Sequence, residues 1–129
     1  MSLSPEPLFV YGTLRFPQVL QALLGRVPDS RAGTAAGWRT AALAGRVYPG
    51  LVPAADATAE GLLLTGVSPG ERERLDEFEG AAYALRPLPM TDGGYAWAYV
   101  WQGDEVLDED WDAEVFAAEH LAGYAARLA

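Results

Sequence analysis

Short apolar runs and amphipathic segments follow one another along the first part of the chain. Residues 8–11, Leu-Phe-Val-Tyr, form an apolar and aromatic run that ends at Gly12, which predicts a buried strand. Over residues 17–24 the apolar side chains recur at helical spacing, and Gly25 follows directly. This pattern predicts a helix with a glycine C-cap.

The middle of the chain carries weaker signals. Small residues mixed with a few large ones over residues 32–47 predict a strand. Residues 48–53, Tyr-Pro-Gly-Leu-Val-Pro, have the composition of a turn and loop. The run over residues 60–67, rich in leucine and glycine, predicts a central strand.

A helix start is marked clearly after this strand. Ser68 is a suitable N-cap, Pro69 suits the first helical position, and Glu71 completes a capping box. The helix is expected to run to residue 78 or 79, because Gly80 follows as a stop signal.

The last third of the chain predicts a hairpin and a terminal helix. Residues 83–91 contain two prolines and predict an edge strand. A turn at residues 92–94 leads to residues 95–101, where large rings alternate with small side chains. A final helix is expected over residues 112–128. Strands flank helices without a regular βαβ alternation, so the pattern favours an α+β fold. The expected architecture is a small, mostly antiparallel, barrel-like sheet with two or three helices.

Composition narrows the class of protein. The 129 residues suit a single domain over residues 1–129, and half of them are hydrophobic, as in a globular chain. The net charge of −9 argues against a surface that binds nucleic acid. One histidine and no cysteine argue against a zinc site and exclude a thiol nucleophile. No apolar run is long enough to span a membrane, and residues 1–7 lack a basic signal-peptide region, so a cytoplasmic location is the default expectation.

Glu79 is the main candidate for chemistry. It shares one helical face with Leu75 and Phe78, whereas Asp76 and Glu77 are expected to point toward water. A carboxylate on an apolar face is costly unless it is satisfied or used. Glu79 is therefore a candidate general acid and base. The alternative is an ordinary glutamate at the rim of a helix end.

Two neighbouring features extend this candidate site. Tyr83, four residues after Glu79, would bring a phenol to the same cavity. Tyr11, Gly12, Thr13 and Leu14 stand where a strand ends, and free backbone N–H groups there would hold a carboxylate or an oxyanion. The alternative for these four residues is an ordinary turn.

Two further aromatic features favour a structural role. The rings of residues 95–101 are typical of core packing. His120 lies between Phe116 and Tyr124 at a spacing of four residues on each side, which is typical of a histidine that packs on a helical face.

Together these segments resemble the gamma-glutamylcyclotransferase-like family. The similarity is to its small branch, which includes the plant avirulence-induced proteins and short bacterial relatives. The matching motifs run in order along the chain: Phe9-Val10-Tyr11-Gly12-Thr13-Leu14, Leu23-Leu24-Gly25-Arg26, Tyr48-Pro49-Gly50-Leu51-Val52-Pro53, Glu60-Gly61-Leu62-Leu63, Leu75-Asp76-Glu77-Phe78-Glu79-Gly80 with Tyr83, Tyr99-Val100-Trp101, Trp111-Asp112 and Glu119-His120-Leu121.

The resemblance implies a mixed β-barrel of about six strands with flanking helices. It implies that Tyr11 to Leu14 line the substrate cavity with backbone amides and that Glu79 is the catalytic glutamate. The implied reaction is attack of a γ-glutamyl α-amine on its own γ-amide carbonyl, which gives 5-oxoproline and a free amine without a metal or cofactor. Two alternatives remain: a small-molecule binding module without catalysis, and a hydrolase of γ-glutamyl amides.

Several points stay open at this level. Many relatives carry a basic residue two places after the tyrosine, but this chain has Leu85 there and Arg86 one place later. Arg15 is either an anion-binding residue or a solvated cation. The leaving amine is an amino acid, a lysine ε-amine, a polyamine or an aminoglycoside-like cation, and the acidic chain leans slightly toward a cationic amine. The oligomeric state is not determined by any pattern.

Overall fold

Six strands and four α-helices make up the part of the chain that the computed structural model describes, residues 7–128. Residues 1–6, on which the signal-peptide expectation rests, and residue 129 lie outside it. The strands are β1 (Leu8–Val10), β2 (Asp29–Leu43), β3 (Gly50–Thr65), β4 (Tyr83–Pro89), β5 (Tyr95–Trp101) and β6 (Val106–Asp110). The helices are α1 (Pro17–Leu24), α2 (Pro69–Glu79), α3 (Ala113–Glu119) and α4 (Leu121–Leu128), with a short 3-10 helix at Thr13–Arg15.

All six strands belong to one curled sheet in the order β4-β5-β1-β3-β2-β6. Most neighbours are antiparallel, but β5 runs parallel to both β1 and β3. The long strand β3 pairs with β1 at residues 62–64 and meets β5 near its other end, where Leu51 lies opposite Val100. This double contact curls the sheet into a half-barrel. The predicted α+β class, with a mixed and mostly antiparallel barrel-like sheet, is confirmed.

The core has two parts, one on each face of the curled sheet. Strand β5 serves both, because its side chains alternate between the faces. Ala98 and Val100 pack with Phe9 and Leu51 inside the curl. Tyr99 lies on the other face and packs with Leu75 among the side chains of the helices. The alternation of rings and small residues therefore reflects two cores of different shape.

Local signals define the helices as predicted. Gly25 adopts the left-handed conformation, with φ of 76°, and donates its N–H to the carbonyl of Gln21, as a glycine C-cap does. Ser68 and Glu71 form both hydrogen bonds of the capping box at the start of α2. Arg26 also binds the Glu71 carboxylate through two nitrogens at 2.7 Å, which ties the end of α1 to the start of α2.

Three elements differ from the sequence-based expectation. Residues 50–53 belong to strand β3 instead of a loop, because they pair with β2 from Trp38 to Ala41. Strand β6 has no counterpart among the predicted elements. The helix expected over residues 112–128 is divided at His120, which ends α3 and is exposed, so four α-helices are present where two or three were expected.

Of the helices in the described residues, none combines the length and apolar character needed to cross a bilayer.

Candidate functional site

A cavity of about 140 Å³ lies where β1 ends, beside the end of α2. Its walls come from distant parts of the sequence. The lining residues are Phe9, Val10, Tyr11, Gly12, Thr13, Leu14, Tyr48, Pro49, Phe78, Glu79, Ala82, Tyr83, Tyr99 and Tyr124. All six residues predicted for the site, Tyr11 to Leu14, Glu79 and Tyr83, are thus brought together around one space.

Glu79 reaches the cavity because it is the last residue of α2. Leu75, one turn earlier, is fully buried, and Phe78 packs edge-on against Tyr124 with ring centroids 6.3 Å apart. Gly80 ends the helix with φ of 77°, a conformation that favours glycine, and donates its N–H to the Asp76 carbonyl at 3.0 Å. The apolar face of α2 therefore carries the Glu79 carboxyl into the cavity.

The electrostatic environment of Glu79 favours the protonated form. Burial raises the pKa of the Glu79 carboxyl from 4.5 to about 8. No charge or hydrogen bond from the described residues offsets this effect. A carboxyl with such a pKa changes between acid and base close to neutral pH, as general acid–base catalysis requires.

Asp76 holds the helix that carries Glu79. It was expected to point only toward water, but its carboxylate accepts a hydrogen bond of 2.6 Å from the Tyr99 hydroxyl on β5. The residue is exposed, so the bond forms at the edge of the helix–sheet contact. This bond fixes α2 against the sheet, and Tyr99 in turn lines the cavity.

The segment from Tyr11 to Leu14 forms the floor of the cavity at the end of β1. Gly12 is required here by packing, because a Cβ atom at this position would lie 2.7 Å from Cγ of Pro49. Thr13 and Leu14 open the 3-10 helix and are both buried. The first N–H groups of a helix have no acceptor within it, so these amides are suited to bind an anion. The Tyr11 hydroxyl instead donates to the Tyr99 carbonyl oxygen.

Tyr83 lines the cavity at the start of β4. Its hydroxyl donates a hydrogen bond of 2.7 Å to the Pro49 carbonyl oxygen, and its ring packs against Trp101 at 5.2 Å. Burial, followed by the nearby charge of Glu79, raises the pKa of the Tyr83 hydroxyl far above its ordinary value. Tyr83 therefore stays neutral and acts as a wall and as a hydrogen-bonding group.

The sequence-based interpretation missed several lining residues. Tyr124 on α4 packs its ring against Phe116 at 5.3 Å and lies beside Thr13. In the sequence, its spacing from Phe116 and His120 was interpreted only as packing on one helical face, with no role in the cavity. Tyr48 was read as part of a loop, although the Tyr-Pro-Gly sequence was a possible sign of a rigid, functional loop.

The residues whose role was left open lie outside the cavity. Arg15 lines a separate, more open cleft of about 420 Å³ together with Arg39 and Asp110, which form an ion pair at 3.1 Å. Arg86 and His120 are exposed and do not line the cavity. Within residues 7–128, no group of three or more histidine or acidic side chains is arranged to hold a metal ion.

Known proteins are similar to this chain in both sequence and fold. The family model described as gamma-glutamyl cyclotransferase, AIG2-like, matches residues 8–113. AIG2-like protein C of Arabidopsis thaliana is 37% identical over 114 residues, which cover 83% of this chain and 66% of that protein. AIG2-like protein D of the same plant is 32% identical over 125 residues, covering 91% and 82%. A solution structure of an Arabidopsis thaliana protein has a TM-score of 0.72 at 25% identity and covers 98% of this chain and 83% of that one.

Proposed function

The chain belongs to the gamma-glutamyl cyclotransferase, AIG2-like family, and from this premise we propose that it cyclises a γ-glutamyl amine to 5-oxoproline and a free amine. Glu79 is the general acid and base of this reaction. The observation that carries the proposal is the desolvated Glu79 carboxyl, which faces a small cavity and has its pKa raised to about 8.

The raised pKa suits the proton transfers of the reaction. An α-ammonium group in a peptide has a pKa of about 8, in the same region as the Glu79 carboxyl. A proton therefore moves between them without a large free-energy cost. A carboxylate with an ordinary pKa would be a much weaker base for the same ammonium group.

The reaction balances with Glu79 alone as the proton carrier. The Glu79 carboxylate takes a proton from the substrate α-ammonium, and the free amine attacks the γ-carbonyl carbon. A C–N bond forms and closes the five-membered ring, and the carbonyl oxygen becomes an oxyanion. The ring nitrogen now carries two protons. As the oxyanion collapses, the bond to the leaving nitrogen breaks and Glu79 gives the first proton to that nitrogen. The regenerated Glu79 carboxylate then takes the second proton from the ring nitrogen and passes it to the released amine, which leaves as an ammonium ion.

The cavity supports this reaction through its size and its donors. Its volume of about 140 Å³ is well below the ~300–1,000 Å³ of pockets for drug-sized ligands. It suits the γ-glutamyl part, with the leaving amine directed outward. The amides of residues 12–14 are donors for the substrate carboxylate or the oxyanion. Holding the amine close to the carbonyl contributes further, because ring closure needs both in one orientation.

The test is mass-spectrometric detection of 5-oxoproline after incubation with a panel of γ-glutamyl amines. We expect release by the wild type and a loss of at least about 100-fold in Glu79→Gln, as is typical when a general base is removed. The matched control is Glu77→Gln, which makes the same change at an exposed position on the same helix. It should retain wild-type activity.

The other outcomes assign other functions. Wild-type-like turnover by Glu79→Gln would contradict the role of Glu79. Release of glutamate instead of 5-oxoproline would identify a hydrolase. Stabilisation by γ-glutamyl compounds or 5-oxoproline without any release would identify a binding module on the same fold.

A further inference from the structure

The hydroxyl groups of the tyrosines around the cavity are not equivalent. Five tyrosines line it: Tyr11, Tyr48, Tyr83, Tyr99 and Tyr124. Three of them donate their hydroxyl proton to the protein. Tyr11 donates to the Tyr99 carbonyl, Tyr83 to the Pro49 carbonyl and Tyr99 to the Asp76 carboxylate. These three hydroxyls therefore have no proton left for a ligand.

Tyr48 has the opposite arrangement. Its oxygen accepts a hydrogen bond of 3.1 Å from Nε of Arg46. Since a guanidinium group only donates, a lone pair of the Tyr48 oxygen is occupied and its proton is directed elsewhere. Among residues 7–128 the Tyr48 hydroxyl has no acceptor. The proton is thus available to a molecule in the cavity that Tyr48 lines.

Arg46 is held firmly in the position that orients Tyr48. Its Nη1 forms an ion pair of 2.6 Å with Glu105 and lies 3.3 Å from the Ala44 carbonyl. Its guanidinium group also lies over the Trp101 ring, 5.3 Å from the centroid. Glu105 itself adopts a positive φ of 71°, which is uncommon for a residue other than glycine. Three separate contacts thus hold the guanidinium group with its Nε beside the Tyr48 oxygen.

The location of Tyr48 indicates what its proton would bind. Tyr48 directly precedes Pro49, whose ring is in contact with Gly12 at the floor. Tyr48 and residues 12–14 therefore line the same part of the chain's cavity, next to Pro49. A carboxylate has only acceptor sites, about four of them, so it needs a wall made of donors.

We propose that Tyr48 binds the α-carboxylate of the γ-glutamyl substrate and that Arg46 is a positioning residue that orients its hydroxyl. This assignment deepens the proposed function and rests on it for the identity of the ligand. It adds a side-chain donor to the backbone amides. The substrate α-carboxylate is then bound by Tyr48, and the substrate α-ammonium group faces Glu79.

The test compares two ligands that differ only by the carboxylate, 5-oxoproline and 2-pyrrolidinone. Their affinities are measured by NMR titration of the ¹⁵N-labelled protein, which reports weak binding and intact folding together. Tyr48→Phe should weaken 5-oxoproline binding roughly 10- to 100-fold, since a hydrogen bond to a charged group is lost. The affinity for 2-pyrrolidinone should not change. Tyr95→Phe, the same substitution at an exposed position on β5, is the matched control and should change neither.

Three results would overturn the assignment. An equal loss for both ligands would place the hydroxyl on the lactam carbonyl, and no loss for either would remove Tyr48 from binding. Failure of the wild type to bind 5-oxoproline would also overturn it. Failure of the proposed cyclisation gives a different result. In that case the wild type binds 5-oxoproline but releases none from any γ-glutamyl amine, and the assignment of Tyr48 to the carboxylate still holds.

The role of Arg46 is tested by Arg46→Lys. Lysine keeps a cation opposite Glu105 but lacks the Nε–H that binds Tyr48. The affinity for 5-oxoproline should fall less than in Tyr48→Phe, and the substitution should have no further effect when Tyr48 is already phenylalanine. Losses that add in the double variant would show that Arg46 acts independently of Tyr48 and would contradict the positioning role.

Discussion

The Tyr83 hydroxyl donates a hydrogen bond of 2.7 Å to the Pro49 carbonyl oxygen, although the two residues are 34 positions apart in the sequence. The bond joins the strand after α2 to the loop before β3. The Pro49 ring also lies directly against Gly12, where a Cβ atom would be 2.7 Å from Cγ of Pro49. Pro49 therefore joins the floor of the cavity to the wall that carries Tyr83. Two predictions follow from this junction, one for each of its contacts.

Tyr83→Phe should lower the free energy of unfolding by about 1–2 kcal/mol, because the half-buried acceptor loses its donor. The ring contact with Trp101 is retained, so the loss reports the hydrogen bond alone. Urea unfolding followed by fluorescence measures the change. Tyr95→Phe should be neutral, and a Tyr83→Phe variant as stable as that control would contradict a structural role for the bond.

Gly12→Ala should destabilise the protein by roughly 1–3 kcal/mol, as overpacking of a core does. The added Cβ would lie 2.7 Å from Pro49 Cγ, and the ring would have to move away from the floor. Gly70→Ala is the control, because a Cβ there meets nothing within 4 Å. In helix α2 alanine should be neutral or slightly stabilising. Thermal melts of both variants distinguish the effects, and equal melting temperatures would count against the contact.

The burial of Glu79 makes stability depend on pH. The pKa of its carboxyl is about 8 in the folded protein, against an ordinary 4.5. Between these values the folded state holds a proton that the unfolded state has lost, so this contribution destabilises the protein as pH rises from about 4.5 to 8. Glu79→Gln should therefore gain stability relative to wild type over that range, by on the order of a few kcal/mol. Melting temperatures of Glu79→Gln and Glu77→Gln at several pH values test this, and a difference that stays constant with pH would refute it.

The same carboxyl should control the pH dependence of the proposed reaction. Because the base form of free enzyme accumulates as pH approaches the pKa of about 8, kcat/KM should rise about tenfold per pH unit below that value. It should fall again above it, since the substrate α-ammonium loses its own proton at about the same pH. Release of 5-oxoproline measured from pH 5 to 9 gives the profile. A profile already flat above pH 5.5 would mean that the group in control has an ordinary carboxyl pKa.

The fold was predictable where the signals were local. Gly25 and Ser68 end and start helices through bonds to residues three or four positions away, so a short window of sequence contains the whole cause. Strand β6 was not predictable, because Val106–Asp110 is mostly acidic and becomes a strand through pairing with β2 and contacts from Arg39. Residues 50–53 were misread for the same reason, since their partners on β2 lie nine or more positions earlier.

The residues of the candidate site also divide into those with a local sequence signal and those without one. Glu79 could be found because a carboxylate on an apolar helical face is a local anomaly, and Tyr83 was found through its spacing from Glu79. Tyr48 and Tyr124 were missed because their position depends on how β2 and α4 return to the cavity. No local pattern shows that the Tyr48 oxygen accepts from Arg46 while the hydroxyls of Tyr11, Tyr83 and Tyr99 donate to the protein.

The walls of the cavity come from segments that span residues 9–124, so no fragment of the chain contains the site. The floor at residues 12–14 and the carboxyl of Glu79 belong to different elements, the segment after β1 and the end of helix α2. A local opening that detaches either one should therefore disperse the binding groups before the rest of the sheet melts. Ligand binding would then serve as an early and sensitive reporter of damage to the protein during storage, heating or proteolysis.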